Sequence, residues 1–254
     1  ARAWAATRRP MTCVASTATD GAWTTTFTGL SDGSHTFQVR YVDPAGNGGT
    51  PDSRTWTVDT VAPSLSLQQG ASQSDPTRGS PILFTLTSNE ALASASVSAS
   101  DFTVTNGAIS DISCTDATCT ISVTPTADGN VSVAPSGTFS VSDLAGNAQS
   151  SASGSDRTVT YDTTGPVMSL TQAAGQADPT NSSSIQFTLT SNEALDAATV
   201  TSSDFTVTGG AINSVSCTGT TCTITICNIN LICCTCNCEW VNNRTINTIE
   251  DTII

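Results

Sequence analysis

Three kinds of side chain in this sequence could do chemistry. The first is a cysteine pair that occurs twice. Cys114-Thr115-Asp116-Ala117-Thr118-Cys119 and Cys217-Thr218-Gly219-Thr220-Thr221-Cys222 hold their thiols at one spacing, between strand-like runs. A short hairpin there brings the two sulfurs together, so recurrence of the pair favours a local disulfide. Free thiols, or a redox or metal pair, are the alternatives. The closed loop is short, so the entropic gain is modest, about 2 kcal/mol, and the bridge pins a hairpin against unzipping. Cys13 either pairs outside this stretch or is free. The second kind is a set of oxygen donors near linker-like segments: Asp59, Glu90, Asp143, Asn147, Asp162 and Glu193. The third is the single histidine, His35, in Ser34-His35-Thr36-Phe37. At a strand start it reads as a satisfied surface or core residue, not a general base. No G-x-S-x-G, H-E-x-x-H or dinucleotide-binding glycine motif is present. All eight basic residues are arginine. That excludes Schiff-base lysine chemistry, a Walker-type phosphate loop and Lys–Asn isopeptide crosslinks. An enzyme is therefore not expected.

Charge and composition narrow the partners. The net charge is −13 and the isoelectric point about 4.1. Such a surface repels phosphate, which argues against nucleic acid and anionic membranes, and it attracts divalent cations. Charged residues make up only 11% of the chain and hydrophobic ones 37%, with Ser, Thr, Gly, Ala and Val dominating instead. Serine and threonine keep a solvent-facing strand polar without charge. Ten cysteines, spaced as above, point to an oxidising compartment. No apolar run approaches the ~18–20 residues of a membrane helix, so no membrane insertion is expected within this stretch. Ala1–Pro10 lacks the apolar centre of a signal peptide, so a secretion signal is expected upstream.

The elements that must position these residues follow from an internal duplication. Pro63 and Pro166, Glu90 and Glu193, and Cys119 and Cys222 are each 103 residues apart. Phe84-Thr85-Leu86-Thr87-Ser88-Asn89-Glu90-Ala91-Leu92 recurs unchanged from Phe187 to Leu195, and Asp101–Thr105 recurs from Asp204 to Thr208. Within one unit the apolar period is two. Ile82, Phe84 and Leu86 share one strand face, and Phe102-Thr103-Val104, Thr120–Val123, Val131–Val133 and Thr158–Tyr161 alternate likewise. Asp128-Gly129-Asn130 and Ala145-Gly146-Asn147 punctuate the runs. No segment sustains helical spacing. About seven short strands in ~100 residues is the pattern of an immunoglobulin-like (Ig-like) β-sandwich. The fold class is all-β: tandem Ig-like β-sandwich domains, the first and last incomplete. Asp101 and Asp204 head strands at matching places and read as turn residues.

Asp143-Leu144-Ala145-Gly146-Asn147 and Tyr161-Asp162-Thr163-Thr164-Gly165-Pro166 resemble the strand-end signatures of bacterial Ig-like repeat domains. The first segment resembles a sister subtype, through Leu30–Arg40, Asp43-Pro44-Ala45-Gly46-Asn47 and Thr55–Pro63. The resemblance spans residues 11–226. It implies the stalk of a large bacterial surface adhesin, extracellular or on the cell surface.

On this reading, residues 1–61 are the C-terminal part of one Ig-like domain, 62–163 a complete domain, and 164–226 the N-terminal part of a third. Residues 227–254 form an aberrant tail rich in Cys, Ile and Asn, beginning Cys227-Asn228-Ile229-Asn230 and reaching Cys233-Cys234-Thr235-Cys236-Asn237-Cys238. It reads as a frameshift or chimeric end. Thiolates bind soft metals, but the two separated C-x₂-C pairs of a zinc knuckle are absent. The third domain is therefore expected to lack its last two strands and to expose unpaired edges. Residues 227–254 are expected to be poorly ordered, or paired irregularly through Ile246–Ile254.

In an Ig-like sandwich the loop after the second strand and the loop before the last lie at one pole. That pole holds Ser88-Asn89-Glu90 and Asp143–Asn147, and it receives the linker Val58-Asp59-Thr60. Asp59, Glu90, Asp143 and the Asn147 side chain are expected to converge there, with Asp162 and Glu193 as counterparts at the next joint. Hard oxygen ligands suit Ca²⁺, which takes 6–8 of them. The resemblance also implies calcium at such joints, where it would stiffen a string of domains. Against this stands an ordinary reading in which the aspartates cap turns through their own backbone and Glu90 is solvated. The expected function is a structural spacer or adhesive stalk. Its partners are neighbouring repeats of the same chain and surface ligands of a host or the environment. The alternative is a carbohydrate- or ligand-binding accessory module of a secreted enzyme. That would want exposed aromatic platforms, yet aromatics are only 5% of residues, and Trp4, Trp23, Trp56 and Trp240 do not cluster along the chain.

Overall fold

Alternation with period two gives strands, and a computed structural model of the chain places them. It describes residues 12–19, 22–40 and 43–227. The expectations for Ala1–Pro10 and for 228–254, Trp4 and Trp240 included, lie outside the described residues. The chain divides into two units, Ala1–Thr163 and Thr164–Ile254.

The first unit opens with two antiparallel hairpins. β1 (Thr12–Thr19) pairs with β2 (Ala22–Thr28), and β3 (Gly33–Val39) with β4 (Asp52–Val58). Phe27 and Phe37 meet at a tilt of 55° with ring centroids 5.2 Å apart, and Trp56 stacks on Phe27 at 6.4 Å. His35 sits opposite Trp56 in the ladder, and its Nε2 hydrogen-bonds the Ser31 carbonyl at 2.7 Å.

Nine strands follow: β5 (Leu65–Gln69), β6 (Ile82–Ser88), β7 (Phe102–Thr105), β8 (Gly107–Thr115), β9 (Thr118–Pro125), β10 (Gly129–Pro135), β11 (Val141–Ser142), β12 (Ala148–Gln149) and β13 (Thr158–Tyr161). One sheet runs β5-β6-β9-β8 and a second β13-β10-β7, with β11-β12 as a short pair. On the first sheet Ile82 faces Val123, Phe84 faces Ile121 and Leu86 faces Cys119 across the ladder, and all six side chains are fully buried. Val131, Val133 and Val159 of the second sheet, with Phe139 and Val141, close the core from the other side. This is the two-layer antiparallel packing of an Ig-like β-sandwich. Gly154 has φ +113°, and a Cβ there would run into the Leu67 carbonyl oxygen, so the backbone approach at this edge requires glycine.

Single-turn 3₁₀ helices at Ser94–Ser96 and Ala99–Asp101 bridge β6 and β7. Asp101 is buried and caps the second. Its Oδ2 accepts the Ser98 N–H at 2.8 Å and the Ser98 hydroxyl at 2.7 Å, and its Oδ1 accepts the Ser140 N–H at 3.2 Å. The turn role read from sequence is what Asp101 performs.

The second unit repeats the first sheet. β14 (Met168–Gln172), β15 (Ser184–Ser191), β16 (Ala211–Thr218) and β17 (Thr221–Cys227) form a sheet in the order β14-β15-β17-β16. Phe187 faces Ile224 and Leu189 faces Cys222, as at the equivalent positions of the first unit. Phe205–Val207, however, is not a strand, although its counterpart β7 is. No second layer faces the sheet among the described residues. Met168 and Leu170 are 54% and 53% exposed, whereas their counterparts Leu65 and Leu67 are 5% and 0% exposed.

Both cysteine pairs are disulfides, Cys114–Cys119 and Cys217–Cys222, each with Cα atoms 4.0 Å apart across a two-residue hairpin turn. The turn needs a left-handed residue, which is Asp116 (φ 50°) in one repeat and Gly219 (φ 58°) in the other.

Candidate metal centre

The site begins with a turn that the sequence contains twice. In Asp143-Leu144-Ala145-Gly146-Asn147 the aspartate carboxylate turns back on its own backbone. Its Oδ1 accepts the N–H of Gly146 at 2.7 Å and of Asn147 at 2.9 Å, and its Oδ2 accepts the Asn147 amide at 2.8 Å. Gly146 takes φ +95°, which lets the chain reverse. Asp43–Asn47 repeats the arrangement: the Asn47 N–H and amide reach Asp43 at 2.7 and 2.8 Å, and Gly46 has φ +90°. The turn-capping role weighed for Asp143 is present, and Asp43 performs it too.

Surroundings separate the two turns. Asp43 is exposed, while Asp143 is only 1% exposed. Leu92 bridges to Asp143, and the Ala93 N–H donates to the Ser142 carbonyl at 2.9 Å, which holds the loop after β6 against this turn. Glu90 is thereby brought beside Asp143, its N–H held by Ser88 Oγ at 3.2 Å. Asp59, at the end of β4, joins from the linker. Its Oδ1 accepts the Val61 N–H at 3.1 Å, and its carbonyl accepts the Asn147 amide at 3.1 Å. Carboxylate oxygens of Asp59, Glu90 and Asp143 all lie within 4.8 Å of one another.

The electrostatics follow from this crowding. Burial, then the negative charges of Asp59 and Asp143, and a hydrogen bond shared with Asp59 all push the Glu90 carboxyl above its ordinary value. Burial also pushes Asp143 upward, but the hydrogen bonds from the Asn147 side chain and from the N–H groups of Asn147, Gly146 and Ala145 outweigh it and leave that carboxyl lowered. Asp43 is lowered chiefly by the Asn47 side chain. None of the described arginines forms an ion pair with the triad; the pair among the described residues is Arg54–Asp52 at 3.9 Å, on the surface.

Chemically the cluster is a hard-oxygen donor set. Asp143 spends most of its lone pairs on the turn, and about one of its four remains for a cation. Glu90 and Asp59 are freer. Three carboxylates on three chain segments suit Ca²⁺, with carbonyls and water completing its 6–8 oxygens. Asn147 lies within the cluster, but it meets Asp59 and Asp143 through its amide nitrogen as a donor. Asp162 follows β13 and donates its N–H to the Thr77 carbonyl at 2.9 Å. Glu193 lies in the second unit after β15, with its N–H on Ser191 Oγ at 3.3 Å and its Oε1 buried without a hydrogen bond.

Sequence reasoning passed over residues that clasp the linkers. Asn89 Oδ1 accepts the Ser64 N–H at 2.7 Å, and Asn192 Oδ1 accepts the Val167 N–H at 2.7 Å in the second unit. Asp32 receives the Thr60 hydroxyl at 2.9 Å, and Asp128 receives the N–H and hydroxyl of Thr163 at 3.0 and 2.8 Å. The repeated Ser-Asn-Glu was the available signal for the asparagines.

Residues 6–60 match the family model of a bacterial Ig-like domain. That is the family the strand-end motifs resemble, and the matched stretch includes the Asp43–Asn47 turn and Asp59. No curated protein and no solved structure matches the chain.

Proposed function

We propose that this chain is a run of spacer modules from an extracellular bacterial surface protein of adhesin type, and that Ca²⁺ bound by Asp59, Glu90 and Asp143 stiffens the joint after residue 61. In this reading residues 1–61 end one module, 62–163 are a complete one and 164–226 begin a third. The family match at 6–60 supports it, as do the duplicated all-β unit and two disulfides that fit an oxidising exterior. Neighbouring repeats are the primary partners, with surface ligands of a host or the environment at some other point of the parent protein.

The observation that carries the proposal is the convergence of three carboxylates from the linker and two loops. Without a cation the negative charges of Asp59 and Asp143 press on Glu90, and hydrogen bonds tie the linker to this pole: the Asn147 amide on the Asp59 carbonyl, the Gln149 amide on the Pro63 carbonyl and the Ser64 N–H on Asn89 Oδ1. A divalent cation would turn that repulsion into a three-way crosslink, so bending the joint would cost coordination as well as hydrogen bonds. The metal would therefore set stiffness rather than fold.

Isothermal titration of the full chain with CaCl₂ after EDTA treatment, with small-angle scattering before and after, tests this. Binding heat that Asp59→Asn abolishes, together with a longer maximum dimension in calcium, is the expected result. No heat, and scattering dimensions that EDTA leaves unchanged, would reject the calcium joint.

A further inference from the structure

Asparagine followed by glycine occurs twice in the sequence, at Asn47-Gly48 and Asn106-Gly107. In this dipeptide the backbone nitrogen after the asparagine can approach the side-chain carbonyl carbon, because glycine has no Cβ to hinder it. The structure treats the two copies differently. Asn106 is half-buried, in a left-handed turn (φ 55°) between β7 and β8. Its Nδ2 donates to the Ala127 carbonyl at 2.7 Å and its Oδ1 accepts the Thr126 hydroxyl at 2.9 Å, so both ends of the amide are tied. Gly107 is packed tightly in the sheet: a Cβ there would lie 2.7 Å from Val123 Cγ1. Asn47 is exposed, as are Gly48 and Gly49 after it. Among the described residues its side chain is held at one end, by Nδ2 on the Asp43 carboxylate at 2.8 Å. A Cβ on Gly48 would lie 3.5 Å from Cζ, Nε and Nη1 of Arg40, so a guanidinium lies over this glycine. Asn147 occupies the same kind of turn as Asn47, but Ala148 of β12 follows it.

We propose that Asn47 is a site of spontaneous modification, the position at which the folded chain deamidates. The Gly48 nitrogen gives its proton to water or hydroxide and attacks Asn47 Cγ. The Cγ–Nδ2 bond breaks, the amide nitrogen takes up a proton and leaves as ammonia, and a five-membered succinimide remains. Water then opens the ring at either carbonyl, which leaves aspartate or isoaspartate at position 47. The sum is one water taken up and one ammonia released, with no oxidant or reductant. Three features favour this copy of the dipeptide. Gly48-Gly49 gives the backbone freedom to reach the attacking geometry. The side chain has one tie to break where Asn106 has two. The Arg40 charge stabilises the anionic nitrogen and the oxyanion of the tetrahedral intermediate. The consequence falls on the Asp43–Asn47 turn. A carboxylate would replace the amide that donates to Asp43, so the turn loses a hydrogen bond and gains a like charge. Asn147 performs the same duty for Asp143 and also holds the Asp59 carbonyl, and there the side chain of Ala148 hinders the attack. The inference does not depend on calcium or on the joint.

The test ages the full chain in warm, mildly alkaline buffer and follows each asparagine by peptide mapping, with fragmentation that separates isoaspartate from aspartate. In the folded chain Asn47 should convert roughly tenfold or more faster than Asn106, whose extra tie and packed glycine raise the barrier. In denaturant the two should react at similar rates, because both amides are then released. Arg40→Gln should slow Asn47 in the folded chain and leave its rate in denaturant unchanged. Gly48→Ala should slow it in both. Equal rates at Asn47 and Asn106 in the folded chain would overturn the proposal. So would conversion of Asn47 that appears only in denaturant, because the Asp43 tie would then protect the amide.

Discussion

The sheets β5-β6-β9-β8 and β14-β15-β17-β16 are built from nearly the same residues in the same register, yet the first builds a large core and the second only a small one around Leu189, Cys222 and Ile224. Phe84 and Phe187 occupy equivalent ladder positions opposite Ile121 and Ile224. Leu67 is sealed, whereas Leu170 is 53% exposed. The difference lies in the second layer, where β10 and β13 face the first sheet and nothing described faces the other. An antiparallel sheet satisfies its backbone within its own plane, but its apolar face leaves water only when another layer closes over it. The contrast reaches secondary structure as well. Phe-Thr-Val-Thr is a strand at 102–105, beside β10, and irregular at 205–207.

The largest effect that would sharpen this contrast is a paired truncation. Leu67→Ala should cost about 2–5 kcal/mol, as a large-to-small change in a closed core. Leu170→Ala should cost about 1 kcal/mol or less, because much of its surface is already in water. Denaturant unfolding of each variant, read by hydrogen exchange in each unit, measures both. Equal costs would mean that the second face is closed in solution.

Next come the hairpin staples. Cys114→Ala with Cys119→Ala should destabilise the first unit by about 2 kcal/mol, and the same double change at Cys217 and Cys222 should remove a similar amount. The second unit has the smaller core, so the same loss should unfold a larger fraction of it. Circular dichroism with mass spectrometry of free thiols reads the fraction unfolded. A second unit that tolerates the change better than the first would contradict the comparison.

The smallest effect belongs to the acidic joint. Glu90 has a raised folded-state carboxyl, so its contribution to stability is full below its ordinary value of 4.5 and is lost as pH rises through the raised one. Asp143 has the opposite sign: its contribution is present above its ordinary value and is lost as acid protonates it below. In EDTA, stability of the native chain should therefore decline relative to Glu90→Gln as pH rises above about 4.5 and through the raised Glu90 titration. Calcium should abolish that decline, and calcium affinity should fall as the pH drops through the Glu90 titration. A pH profile identical in native and Glu90→Gln chains would show that the three carboxylates do not interact.

Much of this was legible beforehand. Alternation in Ile82-Leu83-Phe84-Thr85-Leu86 gives a strand with one buried face because successive side chains point to opposite sides. The repeated Cys spacing gave the disulfides because two positions facing each other across a tight hairpin have adjacent Cβ atoms. Convergence of Asp59, Glu90 and Asp143 followed from knowing which loops share a pole. The double duty of Asp143, which caps its own turn and faces the cluster, was not legible. Nor was the role of Asn147, whose amide donates where a ligand oxygen was expected. A side chain's hydrogen-bond partners depend on how far neighbouring loops fold back, and composition does not encode that distance.

By itself the sequence determined everything local: the period of two, the short hairpins at Cys114–Cys119 and Cys217–Cys222, the turn at Ala145-Gly146-Asn147, the cysteine pairs and the 103-residue duplication. These follow from sterics and spacing along one strand or across one hairpin. Only the tertiary structure decided which apolar faces are closed, whether Phe-Thr-Val-Thr becomes a strand, and how near three carboxylates come. Burial, ladder pairing and charge crowding are properties of segments far apart in the chain, and they exist only once a second layer or a neighbouring loop is in place.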